Sequence, residues 1–254
     1  MKTPYKIMII LPLIFLLSTA NTYGLSTNNT VANDNKVAFG VVEVVDASDI
    51  LVLVNKENCL PRDYVPEDLR RVDLPSVRGK DNLRDVAASA LEALFKGAKK
   101  DGHVLFAQSG YRSYDSQSRI FYGYVKKYGR TKTETFSAPP GMSEHQTGLV
   151  MDISSKGTNY TLIEKFGELP EGKWIKENSW KYGFIIRYPK GKTSITKYTY
   201  EPWHLRYVGL DAAEKIYRKE ITLEEYLDSI KWKDETFAFL PDQIISGEPR
   251  VINA

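Results

Sequence analysis

A single cysteine, Cys59, among 254 residues leaves no partner for a disulfide within the chain. An excess of either charge is missing as well: 35 basic residues against 32 acidic ones give a formal +3, too even a balance to suggest nucleic acid as the partner. No apolar run reaches the roughly 20 residues that a spanning helix needs. The longest, Ile7 to Leu17, follows Lys2 and Lys6 and gives way to Ser18-Thr19-Ala20, which is the pattern of a secretory signal. No cysteine follows that run, which argues against a lipid-anchored precursor. Export with cleavage after Ala20 is therefore expected, with an uncleaved membrane anchor as the alternative, and an exported chain without disulfides suits a bacterial envelope. There is no internal repeat. Histidine is scarce, at three residues, so a site built on imidazole must draw on His103, His145 and His204.

What is present is a composition 42% hydrophobic, ample for a packed core. After the signal (1–20), residues 21–36 are polar and read as a flexible linker. An extension over 37–80 holds a valine-rich strand at Leu51–Val54 and a proline-punctuated stretch, Cys59 to Leu69, that wraps the body in extended form. The body, 81–230, opens with helical spacing over Asp81 to Lys100, then a buried strand from His103 to Gln108. Ser113 is placed to cap a helix running to Tyr128, with Ile120, Phe121, Tyr124 and Val125 inward and Gly129 as its stop. A helix from Lys173 to Tyr182, strands at Phe184–Tyr188 and Ser194–Tyr200, and helices over Asp211–Glu220 and Thr222–Ile230 complete the body. The tail from 231 to 254 carries no readable signal.

The chemistry gathers in Ser143-Glu144-His145-Gln146-Thr147-Gly148-Leu149-Val150-Met151-Asp152. Alternation along Leu149 to Ile153 puts Leu149, Met151 and Ile153 on a core face and turns Asp152 away from it. His145 precedes Gly148, on a loop able to fold back over the strand end. Imidazole and carboxylate both suit zinc, but a catalytic zinc needs three protein ligands. His103 lies in an apolar run that favours a core or strand-end place. His204, in Tyr200-Glu201-Pro202-Trp203-His204, supplies the third ligand, and Pro202 favours a turn or bulge that lets Glu201 face the same cavity. His145, Asp152 and His204 thus become the ligands of one zinc ion, with Glu201 beside the water as general base.

Ser-x-His-x6-Asp followed by Glu-Pro-Trp-His resembles the VanY-like D-alanyl-D-alanine carboxypeptidases, zinc peptidases related to lysostaphin and the hedgehog domain. The likeness runs from about residue 59 to 228 and includes Ser109-Gly110-Tyr111-Arg112-Ser113, Gly183 to Pro189 and Leu223-Glu224-Glu225-Tyr226-Leu227. It implies that Arg112 stabilises the developing oxyanion or holds the substrate carbonyl, that Gln117 and Ser143 hydrogen-bond the peptide, and that Trp203 walls the pocket. Val150 departs from the pattern, which often has alanine there, and so does Cys59, where a polar residue or proline is usual.

The expected fold is α+β, a small antiparallel sheet with helices packed around it. The expected activity is removal of the terminal D-alanine from peptidoglycan stem peptides by a monomer that touches a membrane only through its N-terminal segment. An L,D-carboxypeptidase, an endopeptidase on the same peptides and a non-catalytic wall-binding domain are the alternatives.

Overall fold

The computed structural model describes residues 40–79 and 81–238, with side chains as far as residue 231. The expected signal, the linker and the end of the tail lie outside those residues. Near the start, β1 (Val42–Glu43) pairs in parallel with β2 (Asn58–Cys59), and β3 (Leu69–Arg71) pairs antiparallel with β4 (Asn82–Arg84). Leu51–Val54, expected as a strand, is irregular. The carbonyls of Ile50 and Val52 accept instead from the buried Arg206 guanidinium, at 2.9 and 2.8 Å, so a side chain takes the acceptors a strand ladder would use. Val52 and Val54 still turn inward, against Leu60.

Asp81 to Lys100 does not become helical throughout, because β4 claims its first residues. The helix is α1 (Asp85–Lys100), and Ala87, Leu91, Leu94, Phe95 and Ala98 recur along one buried face of it. Asp85 in the first turn and Lys99 and Lys100 in the last complement the helix dipole. Burial of leucines such as Leu91 and Leu94, both wholly inaccessible, stabilises this packing by about 1.5–3 kcal/mol each. β5 (Phe106–Ser109) then leads to α2 (Tyr114–Tyr128), where the Ser113 hydroxyl accepts from the Ser116 N–H at 3.3 Å. Only Gln117 and Phe121 of α2 are buried. Ile120 and Tyr124, expected inward, are 36% and 40% exposed, since α2 covers the site with a narrow stripe and leaves its flanks to solvent.

A single turn, α3 (Arg130–Thr133), precedes β6 (Val150–Ser154). α4 (Pro170–Asn178) starts on its proline, and a 3-10 turn over Ser179–Tyr182 carries the chain to left-handed Gly183 and β7 (Phe184–Tyr188). The strand expected over Ser194–Tyr200 is displaced: α5 (Thr193–Thr196) is one helical turn that ends at Lys197 with φ 63°, and β8 (Glu201–Tyr207) begins after it. α6 (Leu210–Lys219) and α7 (Leu223–Ala238) close the described chain.

The central sheet is antiparallel in the order β5-β6-β8-β7. Leu149, Met151 and Ile153 share one core with α1, Phe184 and Leu205, as alternation implies, while Ile185 joins α6 and α7 in a second. No helix among the described residues is long and apolar enough to cross a membrane.

Candidate metal centre

Pairing of β6 with β8 sets Asp152 opposite His204, and β5 on the other side sets Ser109 opposite Asp152. The aspartate therefore stands between an imidazole and the strand end that leads to Arg112. His145 arrives separately, from the 3-10 turn Glu144–Thr147 that Gly148 closes at φ 68°. Two bonds fix it: its Nδ1–H donates to the Gly110 carbonyl at 2.8 Å, and the Arg112 N–H donates to the His145 carbonyl at 3.1 Å. His145 consequently offers Nε2, 3.3 Å from Asp152 Oδ2, whereas His204 offers Nδ1, 3.3 Å from Asp152 Oδ1.

One ligand atom from each of His145, Asp152 and His204 lies within 4.8 Å of the others, and all three side chains are buried. Asp152 Oδ1 has no hydrogen-bond partner among the described residues. A buried, unsatisfied carboxylate oxygen facing imidazole nitrogens is costly alone and is satisfied by a divalent cation. Two nitrogens and one carboxylate oxygen fit zinc.

Glu201 reaches this centre through an irregularity. Between Ile186–Leu205 and Tyr188–Glu201 the β7–β8 register shifts, with Pro202 inside the interval. Residues three apart on a regular strand face opposite sides, but the bulge brings Glu201 and His204 together, Oε2 lying 3.5 Å from His204 Nδ1. Burial pushes the Glu201 carboxyl up to about 7; His204 works against the rise and Asp152 adds to it.

Arg112 donates from Nη1 to Gln117 Oε1 at 2.7 Å and from Nη2 to Ser109 Oγ at 2.8 Å, which holds its plane 4.0 Å from Asp152. Gln117 also donates to the Ala138 carbonyl at 2.6 Å, so the amide expected to bind peptide is engaged at both ends and supports Arg112. Ser143 is buried beside the turn and caps nothing in it. Trp203 packs against the main core, and the ring of Tyr188 lies tilted against His204, their centroids 4.8 Å apart. His103 lies apart from the centre, against Trp174.

Sequence reasoning missed the charges behind His204. Arg187 and Arg206, both fully buried, donate to Glu144 Oε1 at 2.8 and 2.7 Å, and Arg187 also forks onto Glu224. Two arginines in apolar strands, each demanding a buried carboxylate, were the available signal. Burial would raise the Glu144 carboxyl, but Arg187 and Arg206 outweigh it and hold it well below the usual range.

Two expected results follow from this geometry. Gly110→Ala would drive a methyl group into the Asn82 carbonyl and to 3.0 Å from Met151 Cε. It should cost about 1–3 kcal/mol, read as a lowered denaturation midpoint, and loosen the carbonyl that holds His145. For His204, burial opposes the charged form, but Asp152 and Glu144 prevail and push its pKa up to about 9. Zinc must displace that proton, so uptake below pH 9 should release about one proton per ion, and affinity should rise with pH until His204 is neutral. Calorimetry in buffers of different ionisation enthalpy measures this directly.

Residues 80–210 match the family model described as VanY, D-alanyl-D-alanine carboxypeptidase. The chain is 49% identical over 206 residues to the putative carboxypeptidase YodJ of Bacillus subtilis (strain 168), an alignment covering 78% of this chain and 74% of the relative. Among solved structures it is similar to the LdcB LD-carboxypeptidase, with a TM-score of 0.72 and 50% identity over 77% of this chain and 94% of that one. It is also similar to the vancomycin-resistance D,D-pentapeptidase VanY of a VanB-type cassette, solved in complex with Zn(II), with a TM-score of 0.61 and 38% identity over 72% of this chain and 99% of that one.

Proposed function

The chain belongs to the VanY family of D-alanyl-D-alanine carboxypeptidases, and from that membership we propose that it is a zinc carboxypeptidase removing the terminal D-alanine from peptidoglycan stem peptides. The observation that carries this reading is the convergence of three buried ligands, the Glu201 carboxyl and a fixed guanidinium on one centre.

His145, Asp152 and His204 would hold the zinc ion, which would supply the Lewis acidity to activate water at neutral pH and to polarise the scissile carbonyl. Glu201 accepts the proton of the attacking water on its carboxylate and returns it to the departing amine nitrogen. Glu201 is nearly enclosed and stands 3.5 Å from His204 Nδ1, which sets its carboxyl beside the metal position where that proton is exchanged. Arg112 offers a preorganised pair of donors to the oxyanion or to the substrate's free carboxylate, and Ser109 and Gln117 keep it from swinging away. Ser143 contributes a hydrogen bond to the peptide backbone.

A second reading has its own support. The likeness to the LdcB LD-carboxypeptidase, at 50% identity, favours a tetrapeptide ending in an L,D bond as substrate. Purified, zinc-loaded protein given stem tri-, tetra- and pentapeptides, with products read by mass spectrometry, decides between them. Release of D-alanine from the pentapeptide alone supports the D,D reading. Release from the tetrapeptide alone replaces it with the L,D reading, and no turnover of any of them together with wall binding that survives chelation overturns the enzymatic reading.

Export to the bacterial envelope belongs to the same proposal, supported by Lys2 and Lys6 before the apolar run Ile7 to Leu17. Cell fractionation with N-terminal sequencing of the mature protein tests it: a chain retained in the cytoplasm with an intact start contradicts it.

A further inference from the structure

The two histidines at the centre present opposite nitrogens, and each choice needs a cause. For His145 the cause is a backbone carbonyl: Nδ1–H is committed to Gly110, which leaves Nε2 bare. For His204 the nitrogen turned inward is Nδ1, so Nε2 must carry the proton, and no backbone acceptor meets it. Nε2 faces Glu144 Oε2 at 3.7 Å, and neither atom has another hydrogen-bond partner among the described residues.

The rest of Glu144 is committed. Arg187 and Arg206 both donate to Oε1, and the side chain is completely inaccessible. Since guanidinium groups only donate, they hold Oε1 as an acceptor and leave Oε2 as the free end, aimed at His204. Arg206 is held in turn by the Ile50 and Val52 carbonyls, and Arg187 by Glu224. The carboxylate is thereby located by two guanidinium groups that are themselves held in place.

We propose that Glu144 is a positioning residue for the metal centre: it takes the Nε2–H of His204 and so fixes the tautomer that leaves Nδ1 free to ligate. This inference rests on the zinc reading of the site and goes beyond it, because it assigns the selection of the ligating nitrogen to a residue that is not itself a ligand. Partners of this kind orient the ring and raise its basicity.

Glu144→Gln tests the proposal with almost no change of shape. The two arginines require an oxygen, so the glutamine must turn its NH2 toward His204. Nε2 then has to accept, the proton moves to Nδ1, and the ligating nitrogen is blocked. Zinc affinity, measured by competition with a chromophoric chelator, should fall about 10- to 100-fold. Glu224→Gln disturbs the same arginine network without facing His204 and should leave zinc affinity at the wild-type level. Nitrogen-15 shifts of the zinc-loaded wild type should show His204 protonated at Nε2 and His145 protonated at Nδ1.

Wild-type affinity in Glu144→Gln, equal losses in both variants, or a wild-type His204 bare at Nε2 each overturn the proposal. If Glu144→Gln does not fold, the proton shift of the wild-type Nε2–H decides: a downfield, hydrogen-bonded resonance supports the proposal, and one typical of an N–H without an acceptor overturns it. A wild type that takes up no zinc overturns the zinc reading first and this inference with it.

Discussion

Glu201→Gln is expected to lower kcat on a stem peptide by about two to four orders of magnitude with zinc still bound, because the amide keeps the shape of the carboxylate and loses its capacity to carry a proton. Glu201 is well placed to show this cleanly. Its side chain is almost wholly enclosed and faces His204 from 3.5 Å without being one of the three clustered ligands. Its position beside the ligand set suits a group that takes a proton from water and passes it to an amine. KM should change little and the metal content should stay near one ion per chain, so the loss falls on the chemical step. Retention of activity within tenfold would remove Glu201 from the role of base.

Arg112→Lys should be the next most damaging change, lowering kcat/KM by about 10²- to 10³-fold, the usual cost of losing a donor aimed at developing charge. Lysine keeps the positive charge but not the planar fork. The guanidinium meets Gln117 at 2.7 Å and Ser109 at 2.8 Å through two different nitrogens, and one ammonium cannot satisfy both while keeping the same reach. Gln117→Ala should produce a milder version of the same defect, since it frees one side of the arginine. If Arg112→Lys raises KM alone, the residue only binds substrate; a fall in kcat places it at the oxyanion.

Much of this centre was readable in the residues because few alternatives existed. With three histidines, and one of them in an apolar run, His145 and His204 were nearly forced, and glycine and proline marked the two places where the backbone had to leave its regular path. The core face of β6 followed from simple alternation. Long-range accounts are what local pattern could not carry. Leu51–Val54 looks like a strand by composition, but its neighbouring carbonyls belong to Arg206, more than 150 residues away in the chain. Gln117 reads as a substrate contact, while its bonds to Arg112 and the Ala138 carbonyl appear only in the fold, and Glu144 reads as one polar residue in a loop. A buried charge is indistinguishable in a sequence from a solvated one, since what separates them is a partner on another strand.

One small contact bears on where the working unit begins. The Gln146 side chain, one residue past His145, donates to the Pro61 carbonyl at 2.8 Å and the Tyr64 carbonyl at 3.2 Å. Those acceptors precede residue 80, where the family match starts. A chain trimmed to the matched span would keep every ligand and still strip the brace from the turn that presents one of them, so the shortest fully active form must start upstream of Pro61.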